Sequence, residues 1–222
     1  MIARQMRRLR HNRSGVAMTE FALALPLLLT TGLAGSEVAN MALMQMRVSQ
    51  VALHLADNAS RIGDTSTLVD RKIYESDIND LLLGAGIQGG GADFYEHGRA
   101  IVSSLERDPA NPTTQYIHWQ RCKGLKVWGS HYGNTGDVVA GMGPVGELVE
   151  APTGGAVIFV EVAYDYQPLV SDRLFGPTTI TSTASFVVRD SRDLSQIYQR
   201  DPTEPDEVSL CNAYSTFPAV TV

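Results

Sequence analysis

Positions 16–36 decide most of what this chain can become. They read VAMTEFALALPLLLTTGLAGS, 21 residues in which Glu20 is the single charge. Wound as a helix at about 1.5 Å per residue, the run reaches roughly 30 Å, the thickness of a bilayer's hydrocarbon core. Five arginines (Arg4, Arg7, Arg8, Arg10 and Arg13) crowd the first 14 positions, with no acid among them, and the next arginine is Arg47. That asymmetry predicts an orientation: residues 1–15 stay in the cytoplasm and the rest is carried across the membrane. A buried helix of a soluble domain would account for the apolar run but not for the arginines in front of it.

The remaining chain has the opposite charge. Apart from those five arginines, 13 basic residues face 24 acidic ones, a balance of −11. An acidic body argues against a dedicated nucleic-acid binder. At 44% hydrophobic and 19% charged the composition is that of a globular protein, not of a disordered or fibrous one.

Three export routes fit the apolar run. A secretory signal peptide would end at a small-x-small site, and Gly32-Leu33-Ala34 before Gly35-Ser36 offers one. An uncleaved anchor would stay in the membrane. The third route rests on Glu20. A carboxylate at the centre of a membrane helix costs about 2.5–3.5 kcal/mol on insertion scales, and intramembrane acids mark functions. Glu20 is shallower than the centre, yet a secretory leader gains nothing from it.

Gly15-Val16-Ala17-Met18-Thr19-Glu20-Phe21 resembles the processing site of type IV prepilins. In that class a prepilin peptidase cuts after a glycine on the cytoplasmic side of the apolar run, and the new chain carries Glu at its fifth position. Counted from Val16, Glu20 is fifth and Phe21 sixth. The wider string RSGVAMTEFALALPLLL is similar to the start of TadE-like proteins, minor pilin-like components of tight-adherence (Tad/Flp) pilus systems. Distal segments, VEVAYDYQPL with the Thr/Ser-rich stretch after it and WQRCKG, resemble that family more weakly. The chain is long for the smallest members and equally suits a neighbour within the TadE/TadF/TadG group. The resemblance implies cleavage between Gly15 and Val16. It also implies that Glu20 pairs with the N-terminal amine of a neighbouring subunit, since a buried charge is tolerable when paired. The implied partners are the inner membrane, a prepilin peptidase, other pilins and Tad assembly proteins, with no nucleic acid. The alternative is a secreted or membrane-anchored periplasmic binding domain exported by an ordinary signal peptide.

Helical periodicity continues beyond Ser36. Val38, Ala42, Gln45, Ser49, Ala52, Ala56 and Ala59 mark one side, and Met41, Met44, Val48, Val51 and Leu55 an adjacent apolar stripe. Glu37, Asn40, Arg47, Gln50, Asp57 and Arg61 are assigned to the polar side. The expected helix covers about 16–62, kinked near Pro26 and stopped by Gly63. The expected organisation is a basic leader (1–15), a transmembrane segment (16–36), an amphipathic continuation (37–63) and an exported domain (64–222).

Within that domain, residues 76–84 predict a short helix with Ser76 as N-cap, and the Gly-rich residues 84–98 a loop. Strands are expected at 99–105, 114–120, 157–166 and 178–188, from alternation and β-branched or aromatic content. Residues 129–155 read as a long irregular connection, 168–177 as a turn region, and 200–207 as a proline-broken tail. The fold class is α+β: a long N-terminal helix, a small helix, and an antiparallel sheet of about four strands.

The two cysteines, Cys122 and Cys211, lack CxxC or Cys/His spacing, so no zinc site is expected. In an oxidising compartment the pair is a disulfide candidate. Residues 141–146 spell GxGxxG, but Pro144 removes a phosphate-facing N–H and Pro152 leaves no room for a following helix. No nucleophile or metalloenzyme motif occurs. His118 and His131 flank Cys122 and Trp128, as residues on a strand surface would. Neither a cofactor nor catalysis is expected.

Overall fold

The computed structural model describes residues 14–64, 69–171, 176–189 and 191–217. Most of the basic leader, and residues 172–175 of the expected turn region, lie outside them. The described residues form helices α1 (Ser14–Ala59), α2 (Glu75–Gly89) and α3 (Ala92–His97), and strands β1 (Gly98–Arg107), β2 (Gln115–Lys123), β3 (Val138–Val139), β4 (Ala156–Asp165) and β5 (Thr179–Val187). The strands make one antiparallel sheet in the order β3-β2-β1-β4-β5. The α+β class is as expected, with the two-residue β3 added inside the long connection.

Strand alternation sorts the sheet into two faces. Ala100 and Val102 of β1, Ile158, Val160 and Val162 of β4, and Ile180 of β5 share one face and pack against Val48, Val51, Ala52 and Leu55 of α1 and Ile78 and Leu82 of α2. On the opposite face Leu105, Ile117, Val157 and Phe159 form a smaller core under Met142 and Ala151 of the long connection. Central strands β1 and β4 are thus covered on both sides and buried along nearly their whole length, and β4 reads as a nearly continuous apolar run.

Four details depart from expectation. First, α2 begins at Glu75, with Tyr74 and not Ser76 as N-cap; the Asp77 carboxylate accepts the Tyr74 N–H at 3.2 Å. Second, α2 continues to Gly89 through what the glycine content marked as loop, and α3 follows within it. Gly86 and Gly89 are there for closeness. A Cβ on Gly86 would lie 2.7 Å from the Tyr95 ring, and one on Gly89 2.3 Å from Phe94. Third, Val38, Ala42, Gln45 and Ser49 are exposed; the domain covers this part of α1 along the 37, 41, 44, 48 line, with Asn40 beside it. Fourth, Glu37, assigned to the polar side, is buried.

The helix α1 is unbroken through Pro26, and ends three residues earlier than expected. Its end is capped from a distance: one Arg192 nitrogen donates to the last helical carbonyl, Ala59 O, at 3.0 Å and to Ile62 O just beyond it at 2.9 Å.

Candidate functional site

The proposed processing residues all lie on α1. Gly15, Val16 and Glu20 are exposed, and nothing approaches within 4 Å of where a Gly15 Cβ would sit. Residues 15–36 are exposed throughout, so their apolar side chains have no partner within the described residues. Among those residues this is the one helix long and apolar enough to cross a membrane. Its hydroxyls turn inward to the helix itself: Thr19 bonds Val16 O at 2.8 Å, Thr31 bonds Leu27 O at 2.7 Å, and Thr30 bonds the Pro26 carbonyl. Such back-bonding lets polar side chains sit in an apolar medium. Glu20 has no such internal partner among the described residues. It lies one helical turn beyond Val16, close to the free N–H groups that a chain starting at Val16 would present.

Glu37 is the first residue after the fully exposed stretch 15–36. Its residue is 1% exposed, and four hydrogen bonds hold its carboxylate. Oε1 accepts the Tyr166 hydroxyl at 2.5 Å and the Leu169 N–H at 3.3 Å; Oε2 accepts Leu169 N–H at 3.0 Å and Val170 N–H at 2.9 Å. Asn40 donates to the same Tyr166 oxygen at 2.7 Å. Burial, then the bond to Glu37, raises the pKa of Tyr166. The helix and the segment after β4 are therefore fastened together one residue past the apolar run. The sequence carried a signal for this: Glu37 is in phase with Met41, Met44, Val48, Val51 and Leu55, so a charge stood in a core position.

Cys122 and Cys211 are joined, with Cα atoms 4.8 Å apart. Beside the bridge, Arg99 is fully buried and has no carboxylate partner among the described residues. It donates to Gly124 O at 3.1 Å, Cys211 O at 2.6 Å and Ala213 O at 3.3 Å, and lies 4.2 Å from the Tyr214 ring centre. Burial lowers its pKa. Arg99 and the disulfide together hold the C-terminal segment against the edge of β2.

Among the described residues no group of His, Cys, Asp and Glu is arranged to hold a metal ion. Residues 141–146 lie in a turn closed by the Met142–Val149 bridge, with Gly143 and Gly146 at positive φ and no helix after them among the described residues. His118 bonds Glu106 at 2.9 Å, and that bond, larger than the opposing effect of burial, raises its pKa. His131 instead stands over the buried Glu161, a residue that sequence reasoning passed over inside an apolar strand. Comparison with known protein families, curated proteins and solved structures finds no match.

Proposed function

We propose that the chain is a membrane-inserted minor pilin or pseudopilin of the TadE-like kind, without catalytic turnover. It is made as a precursor with a cytoplasmic N-terminus and cut between Gly15 and Val16. It then acts in assembling a Tad/Flp-type adhesive pilus from the inner membrane. The acidic α+β domain faces the periplasm or decorates the pilus.

One observation carries the reading beyond the sequence motif. The exposed apolar surface of α1 does not stop where a membrane anchor would. Val38, Leu43, Met46 and Leu53 remain 48–62% exposed, although the domain packs on the same stretch of helix. At about 100° per residue, Ala42, Met46 and Leu53 fall on the side opposite Val48 and Leu55. From Ala39 to Leu53 this adds roughly 21 Å of largely apolar helix face, broken by Ser49 and Gln50. A simple anchor has no use for it. Helices packed side by side in a filament or assembly complex would cover it, and small residues such as Gly32 and Ser36 would let them approach.

The test separates cutting from assembly. Glu20→Gln and Leu53→Lys are expressed with the peptidase and assembly proteins, and precursor and mature bands are followed beside co-purification with the complex. Both variants should be cut like wild type, and both should be recruited less. Normal recruitment of both would make Glu20 and the outer face of α1 bystanders and overturn the proposal.

A further inference from the structure

The face of the sheet turned away from the helices is covered unevenly. Residues of the long connection cover β1 and one end of β4, and the C-terminal segment covers the disulfide edge. Over β4 and β5 the described residues leave a groove of about 380 Å³, within the range of small-molecule sites. Glu161 of β4 stands opposite Thr183 of β5 on this face, so both strands contribute to its lining.

Two features of its lining point to a ligand class. The first is an aromatic wall. Trp128 and His131 pack with ring centres 4.8 Å apart, and Tyr132 is set edge-on against Phe159 at 5.0 Å. Glu161 holds this wall from below: its carboxylate accepts the Ser130 hydroxyl at 2.5 Å and the His131 N–H at 3.0 Å. The second is a row of hydroxyls on the exposed side of β5. Thr179 is engaged by Asp165 at 2.6 Å and Lys126 at 3.3 Å. Thr181 and Thr183 are exposed, and their hydroxyls make no hydrogen bond among the described residues.

Charge narrows the class. Glu161 places a carboxylate under the floor. The basic groups beside it are already engaged: Lys126 bonds Asp165 at 2.6 Å, and the His131 ring nitrogen stands 3.9 Å from the Glu161 carboxylate. An anionic ligand would be repelled. An alkylammonium ion would suit Trp128 but would make no use of the threonines. A ring with one apolar C–H face and several hydroxyls matches both walls. We propose that this groove binds a neutral sugar residue, its C–H face on Trp128 and its hydroxyls on Thr181 and Thr183. Glu161 is a positioning residue that fixes the aromatic wall. The proposal holds whether or not α1 is a pilin helix.

The test uses the full chain in a polyoxyethylene detergent, because sugar detergents would compete. Methyl glycosides of neutral hexoses and N-acetylhexosamines are titrated and followed by saturation-transfer NMR, with tetramethylammonium and inorganic phosphate as parallel probes. At least one neutral glycoside should bind saturably below about 10 mM. Thr181→Val keeps the shape of a β-branched strand residue and should weaken binding about fivefold. Trp128→Ala should weaken it about tenfold or more, and the remote Thr113→Val should leave it unchanged. No saturable glycoside binding, glycoside binding indifferent to both groove variants, or tetramethylammonium or phosphate binding in place of glycosides would each overturn it.

Discussion

Tyr166 donates its phenolic hydrogen to Glu37 across 2.5 Å, between residues 129 positions apart in the chain. This bond, with the two backbone N–H groups on the same carboxylate, joins the helix to the domain where the apolar run ends. An acid in that position is stable only because every donor around it is matched.

Removing the carboxylate should therefore cost more than the bonds themselves. Glu37→Ala leaves a hydroxyl and two N–H groups without an acceptor and should destabilise the chain by about 3–5 kcal/mol. Glu37→Gln keeps one carbonyl oxygen and should lose less. Thermal unfolding in detergent gives the order, and hydrogen exchange at Leu169 and Val170 should accelerate in both variants. Unchanged exchange at those two amides would mean that Glu37 does not hold the segment.

The glycines of α2 predict opposite signs. Gly84 has open space where a Cβ would go, so Gly84→Ala should stabilise by up to about 1 kcal/mol through helix propensity. At Gly89 the same gain meets the Phe94 ring at 2.3 Å, and overpacking of about 1–3 kcal/mol or more outweighs it. Parallel denaturant unfolding of the two variants measures this; equal effects would contradict the packing.

His118 should make stability depend on pH. Its folded pKa is raised, chiefly by the Glu106 bond, above the ordinary histidine value of about 6.5. The extra stability is then fully present below that ordinary value and is lost as pH rises through the folded one. The stability difference between wild type and His118→Gln should be larger near pH 5.5 than near pH 9, on the order of 1 kcal/mol. Comparing the two proteins at each pH cancels the other titrating groups. A difference that grows with pH would have the wrong sign.

Patterns that act within one helix or strand were legible in the sequence. The apolar run, its continuation as α1, and strands β4 and β5 follow from periods of 3.6 and 2. Gly15, Val16 and Glu20 form a local motif, so their placement on one exposed helix needed no tertiary information. What escaped depends on distant partners. Gly86 and Gly89 read as loop because composition does not reveal the rings of Phe94 and Tyr95 pressed against a helix. Arg192 caps α1 from beyond β5, and no local signal announces that. Glu37 was misassigned although its phase was correct, because hydrophobic patterning places a charge outside by default. The groove over β4 and β5 exists only once the sheet order sets Thr183 opposite Glu161.

The central claim concerns the start of the mature chain, and its mass tests that directly. Full-length chain co-expressed with a prepilin peptidase, and separately without it, is extracted from membranes and measured intact. A mature chain beginning at Val16, formed only when the peptidase is present and abolished by Gly15→Arg, is the expected result. A chain beginning at Gly35 or Ser36, or one left uncut from Met1 with the peptidase present, would contradict it.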